Sequence, residues 1–219
     1  GYCLTGLTDE HVMFYLHGTG RNGKSVFLNT LASVMGDYAR TAAQDVFLET
    51  HGDRHPTILA DLDGARLVIA PEADPSRKWR DSLIKQLTAG DPVTVNKMRQ
   101  DPYTYTPLMK LVMTGNGPPR PQRLDMAMAE RICVIPFAVT LVAGRRNVKL
   151  LRQLLNEEAA AILRWCIEGC LEWQRKGLVQ PDVVREANRA FVAEADPPAH
   201  WISDCCLRDP GAETSSSEL

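Results

Sequence analysis

The sequence predicts an α/β fold, in which helices flank a parallel sheet and a helical C-terminal tail follows. Apolar strand patterns alternate with helical patterns between residues 12 and 137. A glycine-rich loop joins the first predicted strand to the first predicted helix. Beyond residue 150, apolar residues recur only at helical spacing, which predicts the tail.

The first half of the sheet is predicted from short apolar runs. Residues 12–16 form an apolar and aromatic run that predicts a strand, and residues 26–35 have helical spacing up to Gly36, a typical helix-ending glycine. Residues 37–56 are polar and irregular, which predicts a surface connection with at most one short helix. Residues 66–70 predict a second buried strand.

The remaining elements follow in the same alternation. Apolar spacing in residues 76–87 predicts a helix, which Gly90 ends. The later predictions are a hairpin over 93–105, a third strand at 108–114, a short helix at 126–130, a fourth strand at 132–137 and tail helices from 150 and over 182–195. This organisation predicts a core of residues 1–145, a helical segment of residues 146–206 and a disordered tail of residues 207–219.

Composition limits the classes of function. The chain has 219 residues and a formal net charge of −2, so any contact with nucleic acid must come from a local basic surface. Its six cysteines lack zinc-ligand spacing and are predicted to be buried thiols. Because the sequence has neither a signal-peptide pattern nor a run long enough to span a bilayer, it predicts a cytoplasmic protein without a membrane partner.

The loop after the first strand carries the strongest chemical signal. It comprises Gly18, Thr19, Gly20, Arg21, Asn22, Gly23, Lys24 and Ser25, and Val26 follows it. This is the full GxxxxGKS phosphate-binding pattern in its proper context of strand, loop and helix. Glycines let the backbone wrap around phosphates, Lys24 reaches the β and γ phosphates, and Ser25 is a ligand for Mg²⁺. The loop predicts a nucleoside triphosphate as ligand.

Polar residues after the second and third strands are candidates for hydrolysis. Glu72 follows the second strand and is predicted to act on the magnesium ion and the attacking water. Asp74 either shares the metal or caps the following helix. Asn116, between Gly115 and Gly117, either orients the attacking water or serves as ordinary turn chemistry.

The predicted hairpin carries cations near its tip. Lys97 and Arg99 flank Met98, and Tyr103 lies beyond them. These cations could contact a phosphate backbone lining a pore. They could equally belong to a solvated edge hairpin, where lysine discourages aggregation.

Five sequence blocks in this order carry a family resemblance: GTGRNGKS, RLVIAPEAD, KQLTAGDPVTVNKMRQD, LVMTGN and ERICVIPF. Together they resemble the superfamily three helicases, and more narrowly the helicase domain of phage and plasmid-type primase-helicases. The similarity extends over about residues 1–206. It implies a fold related to the AAA+ ATPases, with ATP and Mg²⁺ as cofactors.

The resemblance also implies roles for individual residues. Lys24 and Ser25 would bind phosphate and magnesium, Glu72 would act in hydrolysis, and Asn116 would be the sensor. By the same resemblance, Lys97 and Arg99 lie on the hairpin that grips DNA. Arg131 matches the arginine finger that reaches the ATP of a neighbouring subunit.

The function implied is ATP-driven translocation of a ring, usually a hexamer, along single-stranded or forked DNA during replication of a phage, prophage or plasmid. A primase domain would precede this chain in the intact polypeptide. Two alternatives stay open at this point: a P-loop enzyme of another kind, such as a small-molecule kinase, and a degenerate nucleotide-binding module.

Overall fold

A computed structural model describes residues 1–49, 57–71, 77–142, 144 and 146–195. The strands are β1 (Met13–His17), β2 (Ala39–Thr41), β3 (Leu67–Ala70), β4 (Val93–Val95), β5 (Tyr103–Tyr105), β6 (Lys110–Gly115) and β7 (Ile132–Pro136). The helices are α1 (Lys24–Met35), α2 (Thr57–Ala60), α3 (Asp81–Ala89), α4 (Met126–Arg131), α5 (Leu150–Gln153), α6 (Ala159–Lys176) and α7 (Asp182–Ala195). The chain therefore has the predicted α/β fold.

The central sheet has five strands in the order β2-β3-β6-β1-β7, and all its pairings are parallel. Met13 pairs with Leu111 of β6 on one side and with Ile132 of β7 on the other. Because chain order reverses around β1, a topological switch point lies at its carboxyl end. Parallel α/β sheets bind their ligands in that crevice.

Burial explains why the sequences of these strands are continuous apolar runs. Every residue of β3 and β6 is buried, because helices or loops cover both faces of the sheet. One core cluster includes Met13 and Met113 of the sheet together with Trp79 and Leu87. A second, on the α1 side, includes Leu16, Leu28 and Val112. The two clusters place the sheet between two layers of packing.

A separate hairpin projects from this core. β4 and β5 pair antiparallel, with Val93 opposite Tyr105 and Val95 opposite Tyr103. Val95 and Tyr105 are buried, while residues 97–100 at the tip are exposed. The predicted hairpin is confirmed.

Two segments differ from their predictions. Residues 37–56 are predicted to be a surface connection, but within the described part, residues 37–49, Ala39–Thr41 forms the edge strand β2. Phe47 and Leu48 are buried in the core, each with 0% of its surface accessible to solvent. The predicted helix over 76–87 begins only at Asp81, because Trp79 forms a bridge with Leu48 instead. Both corrections arise from contacts between segments distant in the sequence.

The C-terminal helices pack against the core. Tyr2 and Trp173 of α6 have ring centroids 4.6 Å apart, and Asn188 of α7 accepts a hydrogen bond from Val134 N of β7 at 2.7 Å. The predicted α7 boundaries, 182–195, are confirmed, whereas a π-helical turn at Leu154–Glu158 separates α5 from α6. None of the helices in the described ranges has the length and apolar character needed to span a membrane.

Candidate functional site

The glycine-rich loop lies at the carboxyl ends of β1, β6 and β7. Gly18 N donates to Gly115 O at 3.2 Å, so the loop begins beside the end of β6. On the opposite side, Phe137 N donates to His17 O at 2.6 Å, which places the chain leaving β7 beside the same loop. The loop therefore occupies the switch-point crevice.

Glycine is required at specific positions of this loop. Gly20 and Gly23 have φ values of 93° and 90°, in the left-handed region that glycine adopts without steric cost. A Cβ at Gly18 would lie 2.2 Å from Asn22 Nδ2 and 2.5 Å from Phe137 O, so residue 18 must lack a side chain. These constraints are those of a tight glycine-rich turn, the kind of backbone that phosphate-binding loops use.

The side chain of Lys24, the first residue of α1, lies inside the loop. Its Nζ donates to Gly18 O at 2.5 Å, and lies 3.3 Å from Asn22 Oδ1 and 3.4 Å from Asn116 Oδ1. Only 8% of the residue is exposed. Lys24 and Asn116, which the sequence predicted to share a site, are thus brought together.

Tyr15 supports the turn that carries Asn116, a role that the sequence did not indicate. Its hydroxyl donates to Gly117 O at 2.7 Å. A Cβ at Gly115 would lie 1.8 Å from the Tyr15 hydroxyl oxygen, so only glycine fits there. The aromatic residue in the first strand was visible in the sequence, but its partner turn is 102 residues away.

The segment after β7, residues 137–142, is tied to the loop along its length. Asn22 Nδ2 donates to Phe137 O at 3.0 Å, and Leu141 N donates to Arg21 O at 2.9 Å. The hydroxyls of Thr19 and Thr140 lie 3.4 Å apart. Asn22 therefore connects the Lys24 ammonium group with this segment, a second role that the motif alone does not specify.

The described residues of the loop suit a triphosphate. They do not by themselves complete a site for a metal ion. Lys24 supplies a cation inside the loop, and the N-terminus of the 12-residue helix α1 faces the same space. Ser25 is exposed beside it as the predicted magnesium ligand. Glu72 and Asp74, predicted to act with Ser25, lie outside the described residues, within which there is no cluster of three or more metal-binding side chains.

Arg131 lies at the amino ends of the strands, opposite the carboxyl ends that carry the loop. It is the last residue of α4, and Ile132 directly after it pairs with Met13 at the start of β1. The loop follows His17 at the other end of β1, about 13 Å further along the strand. The Arg131 guanidinium instead donates to Ala127 O at 2.7 Å. The structure does not bring Arg131 to the loop of its own chain.

Helix α4 is held firmly in this position. The Asp125 carboxylate caps its N-terminus by accepting from Met128 N at 2.8 Å, and Lys85 of α3 lies 2.6 Å from the same carboxylate. The hydrogen bond from Lys85, followed by that from Met128, lowers the pKa of Asp125 below its ordinary value. These contacts fix the base from which Arg131 extends.

The predicted DNA-binding cations lie at the tip of the β4–β5 hairpin. Lys97 Nζ is 5.6 Å from the centroid of the Tyr103 ring, and Arg99 is exposed with φ of 62°. The hairpin that carries both cations is a two-stranded sheet, separate from the five-stranded sheet whose strand β1 leads into the loop of Lys24.

Parallel sheet, switch-point loop and buried lysine together define a P-loop NTPase-like fold. Residues 16–130, more than half of the chain, match the family described as "Family of unknown function (DUF5906)". The chain belongs to this family.

Two viral proteins are similar to almost the whole chain. A "putative helicase" of Acanthamoeba polyphaga mimivirus is 26% identical over 94% of this chain, and a "putative helicase" of Frog virus 3 (isolate Goorha) is 23% identical over 94%. The chain spans only 23% of the length of either relative.

Solved structures share the fold at lower identity. The apo structure of the NrS-1 C-terminal region (305-718) matches with a TM-score of 0.61 at 14% identity, covering 89% of this chain and 48% of that one. A second apo structure of the same region, in an A form, has a TM-score of 0.51 at 13% identity and covers 68% of this chain and 34% of that one.

Proposed function

We propose that this chain is the motor domain of a superfamily three type DNA helicase, which hydrolyses ATP with Mg²⁺ to move along single-stranded or forked DNA. The observation that carries the proposal is the Lys24 side chain, placed inside the loop within 3.4 Å of Asn116 Oδ1. Similarity to viral proteins named as helicases adds support. The proposed setting is replication of a phage, prophage or plasmid, with a primase domain elsewhere in the intact polypeptide.

In this proposal, different residues bind the phosphates, hold the magnesium ion and position the attacking water. Lys24 and the α1 amides hold the phosphates, and Ser25 holds magnesium. Bound Mg²⁺ would neutralise charge on the phosphate oxygens. Asn116, steadied by the Tyr15 hydroxyl on Gly117 O, orients the attacking water. Glu72 is the proposed carboxylate for that water, and Asp74 is a further candidate ligand.

Arg131 acts in this proposal on the nucleotide of a second copy. It lies at the amino edge of the sheet, whereas the loop lies at the carboxyl edge. An arginine that neutralises the transition state from that position must belong to a neighbouring subunit. The proposal therefore includes a homo-oligomeric ring, with six subunits as the expected number.

The test is ATP hydrolysis by the purified chain with and without single-stranded DNA, at a protein concentration that favours assembly. We expect DNA to raise the turnover rate and Lys24→Ala to abolish it. Lys149→Ala is the matched control, because it removes an exposed lysine side chain that is not part of the loop. Turnover that ignores DNA would instead favour another P-loop enzyme, and no turnover under any condition would favour a module that only binds nucleotide.

Mixed assemblies test the placement of Arg131. Arg131→Ala and Lys24→Ala should each lack activity alone, but a mixture should regain part of it, because one subunit supplies Lys24 and its neighbour supplies Arg131. The double variant Lys24→Ala/Arg131→Ala supplies neither group and is the control. Full activity of Arg131→Ala alone would remove the finger from the mechanism.

A further inference from the structure

An apolar cavity of about 260 Å³ lies on the α1 side of the sheet, outside the candidate functional site. The sheet forms one wall, helix α1 a second and helix α6 a third, and the N-terminal residues 1–4 close a fourth side. The residues that line it include none of the glycine-rich loop, residues 18–25. Because four separate elements surround the space, it suits a compact molecule rather than an additional helix or strand.

The two faces of the central strand β1 are packed to different degrees. Met13 and Tyr15 face the larger core cluster and are 0% and 3% exposed. Phe14 points to the opposite face and lines the cavity, and it is only partly buried although β1 has a neighbouring strand on either side. Inner strands of a parallel sheet are ordinarily buried on both faces. The cavity therefore marks a place where the chain's own side chains do not complete the packing around Phe14.

The chemistry of the lining selects against charged and strongly polar molecules. None of the described residues that line the cavity is Asp, Glu, Lys, Arg or His. A charged or hydrogen-bonding group placed there would lose its hydration without gaining partners. The lining does include the aromatic rings of Phe14, Phe27 and Trp165 and the polarizable sulfur of Met35. Such walls pack well against a flat aromatic molecule.

Phe27 of α1 and Trp165 of α6 mark the place where the cavity reaches the surface. Their side chains are 37% and 59% exposed, whereas Leu16 and Leu67, which line the deeper part, are 1% exposed. Ligand sites in proteins are typically concave and mostly apolar, with an opening of this kind. The two rings give an entering molecule an aromatic surface before it meets the aliphatic interior.

We propose that this cavity binds a small, uncharged aromatic molecule of one or two fused rings. An apolar cavity of about 150 Å³ is enough to hold benzene. A cavity of about 260 Å³ therefore has room for a bicyclic ring of the size of indole. Removal of apolar surface from water supplies the driving force. The inference stands independently of the proposed function, because the cavity and the phosphate-binding loop share no described residue.

The binding test compares indole with purine. Purine has a similar bicyclic shape, but its ring nitrogens would be left without hydrogen bonds in an apolar cavity. We expect indole to bind saturably in a ligand-observed NMR titration and to raise the thermal unfolding temperature as its concentration rises. Purine should do neither. Lys24→Ala should bind indole as the unaltered chain does, so a chain without ATPase activity would leave this proposal standing.

Two buried cysteines provide matched variants that test the location. Cys166 and Cys133 are each 5% exposed, but only Cys166 lines the cavity. We expect Cys166→Phe to place its ring in the cavity, to keep or raise the unfolding temperature, and to lose indole binding. Cys133→Phe has no such space and should lower the unfolding temperature through overpacking. Cys166→Leu fills less of the cavity, so it should weaken indole binding less than Cys166→Phe does.

Several outcomes would overturn the proposal. Indole that neither binds nor raises the unfolding temperature would show that the cavity accepts no such molecule. Unchanged indole affinity in Cys166→Phe would place the binding elsewhere, and loss of binding in Lys24→Ala would place it at the glycine-rich loop. Purine that binds as tightly as indole would contradict the apolar character of the site. Destabilisation by Cys166→Phe as large as that by Cys133→Phe would show that the space is absent in solution.

Discussion

Two buried lysines lie at opposite ends of the strands of the same sheet, Lys24 near the carboxyl ends and Lys110 near the amino ends. They differ in the groups that surround them. At the carboxyl edge, the Lys24 ammonium contacts Gly18 O together with two side-chain amides. At the amino edge, the Lys110 ammonium donates to the carbonyls of Thr5, Leu7 and Leu108, and lies 4.9 Å from the centroid of the Tyr2 ring. Lys110 is only 1% exposed.

The difference distinguishes a candidate binding site from a structural anchor. Lys24 lies on a loop that places glycines at left-handed φ values and opens at the sheet edge, so a phosphate can compete for its ammonium group. Lys110 instead donates to backbone carbonyls of Leu7, in the N-terminal segment, and of Leu108, just before β6. Burial of a lysine is therefore insufficient to identify a candidate site, and the chemistry of the groups around it has to be considered as well.

Replacing each lysine by methionine should give opposite results. Lys110→Met leaves three carbonyls without their donor, so we expect it to lower the free energy of unfolding by roughly 2 to 3 kcal/mol. Lys24→Met should change stability by less than about 1 kcal/mol but should abolish ATP binding. Urea unfolding and binding of a fluorescent ATP analogue measure the two quantities. A stability loss for Lys24→Met as large as that for Lys110→Met would break the comparison.

Gly115→Ala tests how rigid the carboxyl edge is. The added Cβ would lie 1.8 Å from the Tyr15 hydroxyl oxygen. We expect a loss of about 2 kcal/mol in stability from overpacking. Gly117→Ala is the matched control, because a Cβ there meets nothing within 4 Å. Equal thermal unfolding temperatures for the two variants would show that Tyr15 can move away from the turn.

Asn22→Ala tests the connection between Lys24 and the segment after β7. It removes the donor to Phe137 O and the amide oxygen beside the Lys24 ammonium. We expect a stability loss of about 1 kcal/mol and weaker ATP binding. Thr19→Ala, which loses only an exposed 3.4 Å contact to Thr140, should have little effect on either. Chemical denaturation and nucleotide titration of both variants provide the measurement, and identical behaviour would argue against a bridging role.

The smallest expected effect is the change in the free energy of unfolding with pH that Lys110 causes. Burial lowers the pKa of Lys110 from 10.5 to about 8. Between these values the unfolded chain binds more protons than the folded one, so the free energy of unfolding should rise with pH. From about pH 7 to about pH 8.5 the rise attributable to Lys110 is at most about 1 kcal/mol. Comparison with Lys110→Met over that range isolates it, and parallel pH profiles would contradict the lowered pKa.

Local patterns were sufficient for much of the fold. The loop with its flanking strand and helix, and the boundaries of α7, follow from residues close together in sequence. In contrast, β2 has only three residues, and it pairs with β3 more than twenty residues later. A strand of three residues is too short to show an alternation of apolar and polar residues. Pairing with β3 is what keeps it extended.

The candidate site could likewise be predicted only in part from local sequence patterns. The motif predicted Lys24 and Ser25 as site residues, because phosphate binding needs glycine, lysine and serine at fixed spacing on one loop. It did not indicate that Tyr15 steadies the Asn116 turn or that Asn22 bridges to Phe137, since those contacts join elements about a hundred residues apart.

The sequence by itself determined the α/β fold and the glycine-rich loop between its first strand and helix, because strand, loop and helix are encoded within a few neighbouring residues. Only the tertiary structure decided that Lys24 lies inside the glycine-rich loop and that Lys110 anchors the N-terminal segment. It also placed Arg131 at the edge of the sheet opposite Lys24. These facts depend on the register of parallel strands, and register is set by packing between distant parts of the chain.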